Sequence, residues 1–151
     1  MNKSPGTYAI LLKNASHRDI KIGRWKLVSF AEGYYIYVGS AFGPGGLGAR
    51  VGRHCRKQKN KRWHIDYLSD DMDVSRIWCD TGGRRLEHEW AGLLQASDMF
   101  ETIDGFGCSD CDCKSHLFYS VNLPSGEAMT ALLHGDVQCM KPVDFNDDAG
   151  S

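Results

Sequence analysis

The stretch EGYYIYVGSAFGPGGLGARVGRH, Glu32 to His54, decides how the chain folds. In GYYIYVG a period of two puts Tyr35, Tyr37 and Gly39 on one face of a strand, and Tyr34, Ile36 and Val38 on the other. The glycines and proline of SAFGPGGLGA then stop any regular element and make a loop. Beyond it Leu47, Val51 and Cys55 recur at i, i+4 and i+8, the apolar stripe of a helix. Arg50, Arg53, His54, Lys57 and Lys61 fall on a neighbouring face of the same pattern. Two readings follow: an ordinary strand, loop and solvated helix, or a site that holds a phosphate between phenols and guanidinium groups.

The rest of the chain sets this stretch inside a domain. GTYAILL, Gly6 to Leu12, is a largely apolar run with the character of a buried strand. IKIGRWKLVSF alternates around a glycine, as a hairpin does. RWHIDYLS reads as a short helix and VSRIWCD as a strand. RRLEHEWAGLLQAS reads as a third helix that buries Leu86, Trp90, Leu93 and Leu94. DGFGCSDCDCKSHLFYS is a Cys-, Gly- and Asp-rich loop ending in a short strand. Strands clustered early and helices later predict an α/β (α+β) domain with a small mixed or antiparallel sheet flanked by helices. The domain is expected over residues 5–120. Residues 121–151 read as a turn-rich extension that is partly disordered toward DFNDDAGS.

Composition narrows the function classes. At 151 residues, 42% hydrophobic and 25% charged, the chain reads as one soluble domain with a real core. No apolar run reaches the roughly 20 residues needed to span a bilayer, and the N-terminus lacks the pattern of a secretory signal. No membrane partner is expected, and the expected compartment is the cytoplasm, where six cysteines stay reduced. The net charge of −1 hides an asymmetry: residues 1–67 carry 13 Lys and Arg against 3 Asp and Glu, a balance of +10. Residues 68–151 carry 5 against 16, a balance of −11. RVGRHCRKQKNKR, residues 50–62, holds seven basic residues and no acid, a density that favours a nucleic-acid partner over a merely solvated helix. Nothing in the sequence specifies a protein partner.

The glycine loop does not make a nucleotide site. GPGGLGAR lacks the Gly-Lys-Ser/Thr ending of a P-loop and the spacing of a dinucleotide fingerprint. A strand tyrosine is ordinarily a packing residue, but two of them stand in matching tripeptides: GTY at 6–8 and YVG at 37–39. With Arg50 thirteen residues after Tyr37 and a glutamate on a later helix, these resemble the GIY-YIG nuclease superfamily. GYYIYVGSA, WHIDYL and GFGCSDCDCKSHLFY resemble its Uri-type endonuclease branch, the likeness covering roughly residues 6–120. Thr7 and Val38 replace the isoleucines of the family name, both β-branched and suited to a strand. Tyr8 and Tyr37 are 29 positions apart, so a GIY-YIG-like fold here needs an extra hairpin between its two motif strands.

The resemblance implies a metal-dependent endonuclease that hydrolyses DNA phosphodiester bonds with Mg²⁺ or Mn²⁺. It places Arg50 at the scissile phosphate, where a permanently charged fork suits the pentacovalent transition state. Arg53 and His54 would grip a neighbouring phosphate, with Lys57 and Lys61 further along the basic face. Tyr8 or Tyr37 would act at the attacking water, a task for which a phenol of pKa about 10 needs a cationic neighbour. The metal falls to a glutamate of EHEWAGLL, since Mg²⁺ often takes only one or two protein carboxylates. Periodicity does not choose between Glu87 and Glu89; the EWAGLL context favours Glu89. His64 is either a proton shuttle or a helix-packing residue.

Cys108, Cys111, Cys113 and His116 carry the donor types of a tetrahedral zinc site. Zinc sites usually draw on two separated pairs, so buried loop thiols, with His116 toward the cleft, are the stronger reading. Cys55, Cys79 and Cys139 lie on expected regular elements or the tail and read as ordinary residues. The alternative to a nuclease is a non-catalytic nucleic-acid-binding or regulatory module on the same fold, whose binding would survive loss of the glutamate.

Overall fold

The structure, a computed structural model, describes residues 3–57, 60–107 and 114–145. It is a mixed α+β fold with a six-stranded antiparallel sheet, a separate two-stranded sheet and four flanking helices. Strand β1 (Gly6–Asn14) is followed by the hairpin β2 (Arg18–Ile22) and β3 (Lys26–Phe30), then by β4 (Gly33–Ala41). Helices α1 (Gly46–Cys55) and α2 (His64–Ser69) lead to β5 (Asp73–Asp80), and α3 (Glu87–Ala96) to the short β6 (Glu101–Thr102). Strand β7 (Leu117–Ser120), helix α4 (Gly126–Leu132) and strand β8 (Val137–Met140) follow, with a 3₁₀ turn at Pro142–Phe145. The large sheet runs β6-β7-β4-β1-β5-β8.

β1 lies at the middle, antiparallel to both β4 and β5. That position explains its unbroken apolar run, because both faces are covered. Tyr8, Ile10 and Leu12 enter one core with Ile22, Phe30, Tyr35, Leu47, Val51 and Ile65. Ala9 and Leu11 enter a second core, on the opposite face, with Ile36, Val38, Trp78, Trp90, Leu94 and Phe118. The strand alternation read from GYYIYVG holds: Tyr35 and Tyr37 side with the first core, Tyr34, Ile36 and Val38 with the second. The expected hairpin forms the separate β2–β3 sheet, with Ile22 and Phe30 turned into the first core.

The segment after Ser120 is not a loose appendage, which corrects the expected boundary at residue 120. β8 pairs with β5 from Ile77↔Met140 to Asp80↔Val137 and becomes an edge of the main sheet. Met129 and Leu133 are buried in the second core, and the Trp90 indole N–H donates to the His134 carbonyl at 2.7 Å. A few apolar anchors among polar residues suffice for an edge strand and a covering helix, so the segment's polarity concealed its place. Residues 146–151 lie outside the described part. Among the described residues no helix is long and apolar enough to cross a membrane.

Candidate active site

The cleft opens where β4 outruns its neighbour. β1 accompanies β4 as far as Gly6↔Ala41, whereas β7 accompanies it only to Tyr37↔Leu117. Past that point the Val38 N–H donates to the His116 carbonyl at 3.0 Å, and the β4 edge turns to side chains. Tyr8, Tyr37, Gly39, Ser40, Arg50, His54, Arg62, Trp63, His64, Glu87, His88, Gly107 and His116 line a polar cleft of about 370 Å³.

On one wall Tyr8 and Gly39 are direct cross-strand partners, and the phenol lies over the glycine. A Cβ at Gly39 would overlap the Tyr8 hydroxyl, which is why YVG ends in glycine. The Tyr8 side chain is buried and its O–H lies 2.6 Å from His54 Nε2. Burial, reinforced by Tyr37, holds the phenol well above its ordinary pKa, although Arg50 pulls the other way. The phenol is therefore the donor and His54 Nε2 the acceptor. Tyr37 meets the His54 ring edge-on, with centroids 5.9 Å apart.

α1 starts so abruptly because Gly46 has φ +61°, and a Cβ there would overlap the Lys3 and Ser4 carbonyls. This is what the glycine loop is for: it turns the chain tightly against β1 and carries Arg50 and His54 to the cleft. The Arg50 guanidinium donates to the Ser40 carbonyl at 3.0 Å and sits 4.4 Å from the Trp63 ring centroid. Arg53 and Arg62 surround the same indole at 5.1 and 5.4 Å. Arg62 and Trp63 are held by the buried Asp66, which accepts from their N–H groups at 2.8 and 3.0 Å. Asp66 also binds the Arg53 guanidinium at 2.7 Å. Burial alone would raise this carboxyl; the backbone N–H of Trp63, the Arg53 side chain and the Arg62 N–H together hold it below its ordinary range.

On the opposite wall stands Glu87, in the first turn of α3. Its approach is fixed by Thr7, whose hydroxyl accepts the Leu86 N–H at 3.0 Å and so pins the start of α3 to β1. One Glu87 oxygen accepts from the Ser40 hydroxyl. The other lies 3.0 Å from His116 Nδ1, which is also 3.3 Å from the Val38 carbonyl and so carries its proton on that nitrogen. Burial would raise the Glu87 carboxyl, but the His116 hydrogen bond, the Ser40 hydroxyl and the charges of His116 and His88 hold it below the usual range. Glu87 is therefore an anion at neutral pH. His64 accepts the Gly107 N–H on Nδ1 at 3.1 Å, which leaves its proton on Nε2, and burial lowers its pKa.

Several sequence expectations change here. Glu89, favoured as metal ligand, is outside the cleft and pairs with the exposed His134 at 2.9 Å. Glu87 occupies the cleft instead, because α3 begins at Glu87 and two residues of helix, about 200° of rotation, send the two carboxylates to different sides. The basic face also dissolves. α1 ends at Cys55, so Lys57 and Lys61 are not on it. Arg53 is taken by Asp66, and Lys57 by the Ser69 and Met72 carbonyls and Asp73. Lys61 pairs with Asp70, and His54 is buried against Tyr8 rather than displayed. Three acids of the α2–β5 segment, unremarkable in the sequence, pair with three of the seven cations of the run.

Tyr8, Tyr37, Arg50, His64 and His116 do converge in the cleft. Ser40, Arg62, Trp63, His88 and the anchoring Thr7 were not anticipated; only the position of Ser40, one residue beyond YVG, could have drawn attention to it. Cys108, Cys111 and Cys113 lie outside the described residues. Among the described residues no group of three or more His, Cys, Asp or Glu gathers to hold a metal. Cys79 is a buried thiol whose pKa burial and then Cys139 push up to about 12, in keeping with a packing role.

These features define an antiparallel α+β domain with an ionised carboxylate and two guanidinium groups facing one another across an open polar cleft. The chain belongs to the family described as Domain of unknown function DUF123, whose model matches residues 7–138. That match runs past Ser120 to the first two residues of β8. Neither the curated proteins nor the solved structures compared with the chain gave a significant match.

Proposed function

We propose that the protein is a divalent-metal-dependent endonuclease of GIY-YIG type that hydrolyses phosphodiester bonds in DNA in the cytoplasm. The observation that carries this reading is the meeting of Tyr8, Tyr37, Arg50 and Glu87, drawn from four different elements, in one cleft. A phosphodiester needs positive charge around its oxygens, and Arg50 with Arg62 supplies it. A Mg²⁺ or Mn²⁺ ion fits the donor set, because Glu87 is a single ionised carboxylate at an open site and such ions keep most of their waters. When bound there, the ion supplies charge that favours the anionic transition state.

The chain's own groups move the proton. Tyr8 is protonated and already donates to His54 Nε2. As a water attacks phosphorus, the P–O ester bond opposite it breaks. The water's proton passes to the Tyr8 oxygen while the phenolic proton passes to His54, which ends as imidazolium, and the departing alkoxide takes its proton from solvent. A phenol of raised pKa is a poor base alone, and the imidazole behind it removes that difficulty. Ser40 and His116 hold the Glu87 carboxylate in place, and His64 offers an Nε2–H donor to the substrate.

Cleavage of labelled single-stranded, duplex and branched DNA with Mg²⁺ or Mn²⁺ tests the reading. Wild type should cut at least one substrate, and Glu87→Gln and Arg50→Ala should not. Wild type leaving all three intact, while binding them in a salt-sensitive way, would replace the nuclease with a non-catalytic binding module.

A further inference from the structure

The hairpin β2–β3 is an insertion between the two tyrosine strands, and the chemistry above does not use it. Its inner face is explained by packing: Ile22 and Phe30 are fully buried, and Ile20 and Val28 pack beside them. Its tip is different. Trp25, at the turn, lies flat against the His64 ring, with centroids 4.9 Å apart and planes 14° from parallel. Trp25 also meets Phe106 edge-on, and Lys26 Nζ sits 4.6 Å from its ring centroid. Since His64 lines the cleft, the indole brings the hairpin tip to the cleft's rim.

The cations there contrast with those of the basic run. Arg24 and Lys26 flank Trp25 and are exposed, as is Lys21 one strand position before the turn. None of the three forms an ion pair among the described residues, whereas Arg53, Lys57 and Lys61 each have a carboxylate partner. None of Asp19, Glu32 and Asp104 forms an ion pair with them among the described residues. Asp19 is engaged by Ser29 and His17, and Asp104, beside the Gly105 that packs on Trp25, is a single exposed carboxylate. An unpaired cation on a surface keeps its full attraction for phosphate, while one already bonded to a carboxylate must give up that bond first.

We propose that the β2–β3 hairpin is a nucleic-acid-binding arm on which Arg24 and Lys26 hold the backbone of a strand leaving the cleft past His64. The proposal rests on the nuclease reading and moves the main phosphate track from the α1 segment to the insertion. Trp25 is the anchor that keeps the arm at the rim. The arm's ligand is the phosphodiester backbone itself, so it adds affinity without sequence preference.

The test measures binding of labelled single-stranded and duplex DNA by anisotropy, in EDTA to prevent cleavage, over a series of KCl concentrations. Wild type is compared with Arg24→Ala/Lys26→Ala and Lys57→Ala/Lys61→Ala, and thermal melts check that each variant folds. Each lost phosphate contact lowers the slope of log K against log salt by about 0.7–0.9. The hairpin variant should therefore lose between about one and two units of slope. It should melt as wild type does, because its replaced side chains are exposed. The Lys57/Lys61 variant should keep the wild-type slope. A wild-type slope in the hairpin variant, or an equal loss in both, overturns the arm while wild-type cleavage leaves the nuclease reading standing. A wild type that neither binds nor cuts DNA removes the nuclease reading and the arm with it.

Discussion

Glu87→Gln and Glu89→Gln should separate the two carboxylates that the sequence left side by side. Glutamine at position 87 can still accept from the Ser40 hydroxyl, so the main loss is the charged contact to His116 at 3.0 Å. That contact is well shielded, with His116 2% and Glu87 26% exposed. A hydrogen bond to a charged group contributes about 1.5–3 kcal/mol, and retention of the Ser40 contact points to the lower end, about 1.5 kcal/mol. For a chain of this length each kcal/mol moves Tm by about 2–4 °C, so Glu87→Gln should melt about 3–6 °C lower at neutral pH. Glu89 and His134 are 42% and 61% exposed, a surface pair contributing about 0–1 kcal/mol, and Glu89→Gln should melt nearly as wild type.

The Glu87 pKa is depressed on folding, so the carboxylate stabilises the fold above its unfolded pKa of about 4.3. That contribution disappears as pH falls through the lower folded value. The gap between wild type and Glu87→Gln should thus be full at neutral pH and close in acid. Melts by circular dichroism across pH, with metal-dependent cleavage measured on the same samples, check all of this. Cleavage should fall about 10²–10³-fold or more in Glu87→Gln, by analogy with loss of one transition-state charge partner, and change little in Glu89→Gln. An inactive, destabilised Glu89→Gln beside an unaffected Glu87→Gln would refute the placement of α3 and the role of its first turn.

Three further outcomes follow from contacts around the cleft. Tyr8→Phe removes the donor to the buried His54 and should cost about 1–3 kcal/mol in urea unfolding, along with most of the cleavage; full activity would show that the phenol takes no part. Gly39→Ala places a Cβ against the Tyr8 hydroxyl and should destabilise by about 1–3 kcal/mol while displacing the phenol, so wild-type melting and activity together would contradict the packing. Arg53→Ala strips a buried carboxylate of its cation and should cost about 3–5 kcal/mol by chemical denaturation; a loss no larger than that of Lys57→Ala would show that Asp66 does not depend on it.

What could be read from the sequence, and what could not, divides along a physical line. The tyrosine strand, the hairpin and α1 were legible because their signals are local: alternation over nine residues of β4, a glycine turn, an apolar stripe. Tyr8, Tyr37 and Arg50 were legible because their spacing is carried by those same elements. Glu87 against Glu89 was not, since both flank one apolar stripe. Their difference arises from where α3 starts, which Thr7 fixes through Leu86 from 79 positions away. The basic run misled for the same reason. Charge density along the chain measures potential only if the opposing charges are distant, and Asp66, Asp70 and Asp73 fold directly onto it. Arg24 and Lys26, which form no ion pair among the described residues, sit on an insertion that looked like mere spacing between two motif strands. A charge run therefore marks a binding face only after its partners across the fold have been subtracted, and in this protein the subtraction moves the expected phosphate track from one wall of the cleft to another.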